Sequence, residues 1–414
     1  MKKAKPRIYL SSPHMGGDEI DYIHEAFDTN WIAPLGANVD GFEKDLESYT
    51  GRAHAAVVTS GTAALHLALL LCGVERDDEV ICQSLTFAAS ANPIRYLGAN
   101  PVFIDSEAET WNMDPELLEQ AIIDRIEKNK GKPKAIILVH LYGMPAKVGS
   151  IARIASKYGI PVIEDAAEAL GSSVRGRMCG TIGKLSVLSF NGNKIITTSG
   201  GGALLSDEED LINKARFLST QARDNAPHYQ HSELGYNYRM SNIIAGIGRG
   251  QIKVINDRVR KRRSNHEYYF RELDGTWLDP EDRYPVDDIG FKTKNSPGGI
   301  YFLKEPEHYY SNRWLTTILV NPNQTGGITR ENLRLALEDQ NIESRPLWKP
   351  MHLQPLYRDF PYYGRGISDE VFKYGLCLPS GSNLRDQDLL RVVTTIKKVL
   401  RLSSRRLSKS GMRS

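Results

Sequence analysis

The 414-residue sequence has few cysteines, no long apolar run and no large excess of charge of either sign. Its four cysteines, Cys72, Cys82, Cys179 and Cys377, are scattered and form no C-x-x-C pair, which argues against a zinc site or a disulfide framework and favours a reducing cytoplasm. No segment reaches about 18 uninterrupted apolar residues, and no apolar stretch follows the basic opening as in a signal peptide. We therefore expect a cytoplasmic protein without a membrane partner.

The near balance of charge excludes an overall attraction to nucleic acid. The chain carries 53 basic and 50 acidic side chains and a formal net charge of +3. The run "RVRKRR" at 258–263 has no interleaved aromatic residues and is typical of a solvated helix face. The histidines in "HEYYF" and "HYQH" lack the further clustered ligands of a metal site. We expect neither nucleic acid nor metal as a ligand.

Apolar runs that alternate with helical patterns make up the region from about residue 53 to 206. The runs "AAVVTS", "EVICQS", "NPVFID", "KAIILVHLYG", "IPVIEDA", "LSVLSF" and "GGALLS" predict buried strands, and the segments between them predict crossover helices. This alternation is typical of a largely parallel sheet covered on both faces, so the fold class is α/β.

The rest of the chain predicts a second, smaller unit. We assign 1–250 to a large α/β domain that includes the N-terminal segment, 251–400 to a small α+β domain, and 401–414 to a basic flexible tail. Residues 240–273 have helical periodicity, which predicts a long helix leaving the large domain. Residues 279–310 are rich in Pro, Gly and Asp without a clear period and predict a long irregular insertion.

Two stretches, "PVIEDAAEALG" and "SFNGNKIITTSGGG", place polar side chains after buried strands. Asp165 comes at a strand's C-terminal end, where open α/β sheets bind ligands, and Lys194 follows the next buried strand. Pyridoxal phosphate needs such a pair: a lysine forms a Schiff base with its aldehyde, and a carboxylate keeps the pyridine nitrogen protonated. The sequence therefore predicts catalytic roles for Lys194 and Asp165.

A phosphate cradle and a ring contact complete this predicted site. In "TSGTAALHLAL" the backbone N–H groups of Gly61, Thr62 and Ala63 begin a helix, where anions bind, and Ser189 adds a hydroxyl. Phe87 follows a strand and is placed to lie against the pyridine ring. Small residues around Lys194 leave room for the ring and phosphate near the backbone.

Each of these features has a purely structural alternative. A buried aspartate is often a cap, a strand-end lysine a surface charge, an S-G-T turn a helix start, and a phenylalanine a core residue. The phosphate turn, the aromatic residue, the aspartate and the lysine follow one another in order on one parallel sheet. This arrangement favours a cofactor site over four unrelated structural roles.

The stretches "SGTAALHLAL", "TFAASANP", "EDAAEALG", "SFNGNKIITTSGGG" and "GYNYRMSN" resemble, in the same order, the DegT/StrS family of sugar aminotransferases. The resemblance covers nearly the whole chain and implies the aspartate aminotransferase type fold, known as fold type I. It implies the roles already given to Lys194, Asp165, Phe87, Gly61, Thr62 and Ser189. It also implies a homodimer whose active sites are shared across subunits, because Asn237 matches the asparagine that binds phosphate in the other subunit.

A finer resemblance concerns the substrate. "PHMGG", "APLG", "HLYG", "STQAR", "SNRWL", "RPLWK" and "LPSG" resemble the enzymes that aminate a UDP-linked 4-keto-6-deoxy-N-acetylhexosamine on the route to bacillosamine, with L-glutamate as donor. Glu168 stands where many family members have glutamine beside the cofactor's phenolic oxygen. The candidates for the nucleotide's diphosphate are His14, Arg313, Arg345 and His352, each of which has an ordinary ion pair as its alternative.

Other functions stay open at this point. The substrate alternatives are a GDP-linked sugar of the perosamine type and a dTDP-linked keto sugar. A relative that performs dehydration has histidine in place of the lysine, so Lys194 argues against that reaction. The alternative from another class is a regulator that binds pyridoxal phosphate without turnover.

Overall fold

The computed structural model of the chain describes residues 5–129, 131–278 and 298–410. Helices in these ranges are α1 (Glu19–Asp28), α2 (Ala37–Thr50), α3 (Gly61–Leu71), α4 (Ala88–Tyr96), α5 (Pro115–Asn129), α6 (Val148–Tyr158), α7 (Glu209–Ser219), α8 (Asn242–Lys253), α9 (Ile255–Glu272), α10 (Arg330–Asp339), α11 (Ile367–Tyr374) and α12 (Asp386–Ser410). Strands in these ranges are β1 (His54–Val58), β2 (Glu79–Gln83), β3 (Asn100–Ile104), β4 (Ala135–Val139), β5 (Val162–Asp165), β6 (Ser173–Val174), β7 (Arg177–Met178), β8 (Leu185–Ser189), β9 (Gly202–Ser206), β10 (Thr276–Trp277), β11 (Ile300–Phe302), β12 (Tyr309–Tyr310), β13 (Thr316–Val320), β14 (Arg345–Pro346), β15 (Tyr362–Tyr363) and β16 (Gly375–Leu378).

The large sheet has the strand order β1-β9-β8-β5-β4-β2-β3-β15. Its strands run parallel except β9, which is antiparallel to both β1 and β8. The seven apolar runs read from the sequence all form strands of this sheet. The predicted α/β class with a mostly parallel sheet is confirmed.

The strands of this sheet are buried on both faces, which is why they read as continuous apolar runs rather than alternating ones. In β1, Ala56 and Val58 belong to one core cluster, and Ala55 and Val57 to the cluster on the opposite face. Helices α3 and α7 cover the first face, and α2 and α8 cover the second. Helix α6 ends at Gly159, whose φ of +61° is the left-handed conformation that glycine adopts without strain.

A second sheet has the order β10-β11-β13-β16-β14 and packs against α9, α10 and α12 around its own core. The N-terminal segment joins this sheet's side of the molecule: Ile8 bridges to Ile342 and is buried among Leu376 and Val392. The sequence assigned the whole N-terminal segment to the large domain. Helices α1 and α2 pack against α8 as that assignment expects, whereas the residues around Ile8 contact the second sheet, and the domain boundary stays a prediction. Conversely, β15 comes from the C-terminal half of the chain and extends the large sheet next to β3.

Three further sequence expectations differ from the structure. The long helix predicted over 240–273 is two helices, α8 and α9, which meet at Val254. The predicted tail at 401–414 is helical up to Ser410, as part of α12. Residues 279–297 of the predicted insertion lie outside the described residues, and its remainder contains β11 and β12 rather than irregular chain only.

No helix in the described ranges combines the length and apolar composition needed to cross a membrane.

Candidate active site

The C-terminal ends of three strands of the large sheet meet at one cavity. Strands β1, β5 and β8 run in the same direction, so the turn before α3, the end of β5 and the loop after β8 lie at the same edge. The cavity there has a volume of about 510 Å³. Predicted site residues that line it are Gly61, Thr62, Phe87, Asp165, Glu168, Ser189, Lys194 and Arg345.

The Lys194 amine sits between a carboxylate and an aromatic ring. Its Nζ lies 3.3 Å from Glu168 Oε1 and 4.4 Å from the centre of the Trp314 ring. The lysine side chain is 11% exposed, and its backbone N–H donates to Asn191 O at 3.0 Å. This is a confined amine with access to the cavity rather than a surface charge.

Glu168 is held from its other side by the backbone. Its Oε2 accepts a hydrogen bond from the Tyr142 amide at 2.7 Å, and Tyr142 has a φ of +53°. Burial raises the pKa of Glu168 to about 7, an effect that outweighs the opposing influence of the nearby Lys194. Glu168 is therefore a group that can hold or release a proton near neutral pH.

Asp165 is a buried carboxylate at the end of β5. It is 5% exposed, and it accepts hydrogen bonds from Ser90 Oγ at 2.6 Å and from the Ala167 amide at 3.2 Å. Within the described residues it takes part in no ion pair. Because a buried carboxylate is costly without a cationic partner, this side chain fits the pyridinium nitrogen of pyridoxal phosphate.

The turn before α3 fits the phosphate. Ser60 caps the helix: its Oγ accepts from the Ala63 amide at 3.0 Å, and its carbonyl accepts from the Ala64 amide at 3.1 Å. The first amides of a helix have no partner inside it, so those of Gly61 and Thr62 remain for an anion. Ala63, the third predicted donor, is engaged by the cap and does not line the cavity.

Glycine is required where the strand after Lys194 meets this turn. A Cβ at Gly202 would collide with the backbone of Ser60 and Gly61, and one at Gly61 would lie 3.1 Å from the Ser189 Cβ. The glycines after Lys194 therefore let β9 approach the Ser60 turn that begins α3. They are needed for this close packing and also leave space for a ligand.

Phe87 borders the cavity with its ring free on one side. It is 54% exposed, and its ring centre lies 5.4 Å from that of Trp348. An exposed phenylalanine at a cavity is unlike the core residue of the structural alternative. Its position fits a contact with a planar ring.

Besides Ala63, four predicted residues do not line this cavity. Asn237 is exposed on the segment that bridges to Thr220. His14 contacts Ser382 Oγ at 3.0 Å, and His352 contacts Ser84 Oγ at 2.7 Å. Arg313 is buried, with its guanidinium on the Leu303 carbonyl and near Glu305. Their proposed roles in binding ligand stay predictions.

Arg345 is the diphosphate candidate that lines the cavity. Its guanidinium contacts Glu343 Oε1 at 3.1 Å and its side chain is largely exposed. The Leu10 amide donates to the other oxygen of Glu343 at 3.1 Å. Arg345 thus stands at the cavity with a neighbouring carboxylate that competes with any anionic ligand.

Several lining residues were not singled out from the sequence. They are Trp314, Trp348, Ser90, Glu343 and Asn193. The tryptophans lie within "SNRWL" and "RPLWK", so their rarity in the chain was a usable signal. No signal in the sequence pointed to Ser90 or Glu343, because their roles depend on contacts between distant segments.

Comparison with known proteins identifies the family. The model of the DegT/DnrJ/EryC1/StrS aminotransferase family matches residues 13–397. The chain belongs to this family. It is 48% identical over 397 residues to EpsN of Bacillus subtilis (strain 168), named as a pyridoxal phosphate-dependent aminotransferase, with 94% of this chain and 95% of that protein covered.

A second relative and a solved structure support the same family and fold. The chain is 35% identical over 395 residues to GDP-perosamine synthase of Caulobacter vibrioides, covering 95% of this chain and 99% of the relative. The crystal structure of a DegT DnrJ EryC1 StrS aminotransferase from Brucella abortus superposes with a TM-score of 0.80 at 27% identity, covering 92% of this chain and 95% of that one. The predicted fold, aspartate aminotransferase type or fold type I, is confirmed.

The family assignment fixes the general chemistry. The protein is a pyridoxal phosphate-dependent sugar aminotransferase, which moves an amino group from a donor to a nucleotide-linked keto sugar. The alternative of a cofactor-binding regulator without turnover is thereby set aside. The polar groups of the cavity, namely the amine of Lys194, the buried carboxylate of Asp165 and the turn at Ser60 that begins α3, suit the cofactor.

Proposed function

We propose that this aminotransferase transfers the amino group of L-glutamate to C4 of a UDP-linked 4-keto-6-deoxy-N-acetylhexosamine, in bacillosamine-type sugar biosynthesis. The observation that carries the proposal is one cavity with an amine between Glu168 and Trp314, the buried Asp165, and Arg345 at the edge. The amine and Asp165 suit amino transfer, and the guanidinium of Arg345 suits an anionic substrate.

The chain's residues divide the work of holding the cofactor. Asp165 would pair with the pyridine nitrogen, the Gly61 and Thr62 amides with Ser189 would hold the phosphate, and Phe87 would cover the ring. When bound, pyridoxal phosphate supplies an aldehyde that condenses with amines and a ring that stabilises negative charge on the neighbouring carbon.

Lys194 is the group that moves protons. Its Nζ would take a proton from the α-carbon of L-glutamate and, in the second half of the cycle, deliver one to C4 of the sugar. Glu168, 3.3 Å away and with a pKa near 7, can keep a proton close to that amine or accept one from it. The two halves use one cavity in turn, and 2-oxoglutarate must leave it before the sugar enters, so ping-pong kinetics are expected.

Arg345 would meet the anionic parts of the substrates. A guanidinium binds carboxylate and phosphate oxygens with charge-assisted hydrogen bonds. The UDP assignment is supported by the shared stretches around Arg345 and Trp314, "RPLWK" and "SNRWL", and by Glu168 in place of the usual glutamine.

A second candidate substrate is a GDP-linked 4-keto-6-deoxy sugar. The observation that favours it is the 35% identity to GDP-perosamine synthase along nearly the whole chain. The two candidates differ in nucleotide and in the N-acetyl group of the sugar, so direct comparison separates them.

The test is a substrate panel. Purified protein with pyridoxal phosphate and L-glutamate receives UDP-, GDP- or dTDP-linked 4-keto-6-deoxy sugars, and 2-oxoglutarate and the amino sugar are measured. We expect kcat/KM to be highest for the UDP-linked N-acetyl sugar; a higher value for the GDP-linked sugar would favour the second candidate. Lys194→Ala should bind the cofactor but show no turnover with any sugar.

We also propose that two copies share their active sites. Support comes from exposed apolar side chains at Phe27, Trp31, Ile32 and Leu35, since such surface on a soluble chain marks an interface. Asn237 is exposed and does not line the cavity of its own chain.

Mixing two defective variants tests this sharing. If Asn237 serves the other subunit, then Lys194→Ala and Asn237→Ala proteins, dissociated and reassociated together, regain up to about a quarter of wild-type activity by statistical pairing. Two copies of one variant serve as the control, and no recovery would contradict a shared site.

A further inference from the structure

Trp314 lies at the boundary between the Lys194 loop and the second sheet. It is 2% exposed, lines the cavity, and directly precedes the segment that leads into β13. The preceding residue, Arg313, has a φ of +51°, a conformation that arginine rarely adopts. The backbone is thus locally strained at Arg313, directly before the residue whose indole lines the cavity.

The indole contacts the lysine segment at two points. Its ring centre lies 4.4 Å from Lys194 Nζ, and its Nε1–H donates to the Asn193 carbonyl at 2.7 Å. A ring face attracts an ammonium group, while the hydrogen bond fixes the backbone one residue before the lysine. One side chain therefore holds both the amine and the chain that carries it.

Hydrogen bonds also hold the main chain that carries the indole. The Trp314 amide donates to Asn312 Oδ1 at 2.8 Å, and Asn312 donates to the Glu168 carbonyl at 2.8 Å. The buried guanidinium of Arg262 donates to the carbonyls of Trp314 and, at 3.4 Å, of Lys194. These contacts hold the main chain of Trp314 against the segments that carry Glu168 and Lys194.

We propose that Trp314 is a positioning residue for Lys194, which keeps the amine at the reacting carbon during the part of the cycle when it is not bonded to the cofactor. A free lysine has four rotatable bonds, and a proton carrier must stay within hydrogen-bond reach of the carbon it serves. The indole face and the Asn193 hydrogen bond restrict that freedom. This inference rests on the family's amino transfer and not on the identity of the sugar.

Chemical labelling measures the contact without any catalysis. The full chain freed of cofactor is treated briefly with acetic anhydride, and acetylation of Lys194 is read by mass spectrometry, with Lys147 as internal reference. Because the indole lies against the amine and this contact must be broken before the reagent can attack, Trp314→Leu should raise the Lys194 labelling rate by about threefold to thirtyfold.

Matched variants make the result specific. Trp314→Phe keeps a ring face and should stay within about threefold of wild type, while Trp277→Leu, which removes a tryptophan outside the cavity, should leave Lys194 labelling unchanged. Equal labelling of Lys194 in Trp314→Leu and wild type overturns the proposal. If that variant does not fold, Trp314→Met fills similar volume without a ring and takes its place.

The second measurement tests the anchor on the backbone. Trp314→Phe loses the N–H that binds the Asn193 carbonyl, so proton transfer should slow and become more rate-limiting. We expect a larger isotope effect in the glutamate half-reaction with L-glutamate deuterated at the α-carbon, at unchanged affinity for pyridoxal phosphate. An isotope effect equal to that of wild type would remove the anchoring role.

Discussion

Replacing Glu168 by glutamine should remove a pH dependence built into the site. Burial raises the pKa of this carboxyl from 4.5 to about 7, so between these values the folded protein binds a proton that the unfolded chain has released. The contribution of Glu168 to the free energy of unfolding is therefore fully present below about pH 4.5, and it is lost as the pH rises through about 7. Glutamine has the shape of the protonated carboxyl and cannot ionise.

The expected size follows from the two pKa values. Each pKa unit is worth about 1.4 kcal/mol, so the full difference is roughly 3 kcal/mol. Most of it, about 2 to 3 kcal/mol, falls between pH 5 and pH 8. The free energy of unfolding of Glu168→Gln minus that of wild type should rise by this amount across that interval.

The assay compares urea unfolding of the two cofactor-free proteins at pH 5 and pH 8. Taking the difference between proteins cancels every other titrating group. Infrared difference spectra between them should also show the band of a protonated carboxyl that disappears near pH 7. A stability difference that does not change with pH would refute the reasoning, because it would mean that Lys194 keeps Glu168 ionised throughout.

Three other predictions concern parts of the site. Ser90→Ala removes the hydroxyl that orients the buried carboxylate and should lower kcat by roughly tenfold to a hundredfold, measured in the glutamate half-reaction. Gly202→Ala should abolish tight pyridoxal phosphate binding, measured by equilibrium dialysis, while Gly149→Ala in a helix with open space keeps it. Arg345→Ala should raise KM for the anionic substrates by about tenfold or more, whereas Glu343→Gln frees the guanidinium and should lower KM; the opposite signs are the check.

The sequence predicted the large sheet well because burial on both faces leaves an unambiguous signal. Runs such as "KAIILVH" have no alternation to misread, and the strand ends then located Asp165 and Lys194. The break at Val254 left no such signal, because both helices continue one pattern of apolar residues. The helical continuation to Ser410 was missed because a polar sequence lacks the periodicity that marks a packed face.

The site was predicted where one local stretch carries the chemistry and missed where distant stretches meet. Ser90 reaches Asp165 across 75 residues, and Trp314 reaches Asn193 across 121. No spacing rule encodes such contacts, since they follow from the packing of whole elements. The same limit explains why Arg313, next to Trp314 in a quoted motif, turned out to bind its own neighbours and not the cavity.

The late strand β15 has a consequence for how the molecule is made. Its residues Tyr362 and Tyr363 pair with Phe103 and Ile104, so the edge of the large sheet stays open until the ribosome has synthesised most of the chain. At about 5 to 20 residues per second, that interval lasts on the order of tens of seconds. During it the exposed edge of β3 is a template for pairing with other chains. Expression of residues 1–250 alone would make this transient vulnerability permanent, and we expect such a fragment to aggregate.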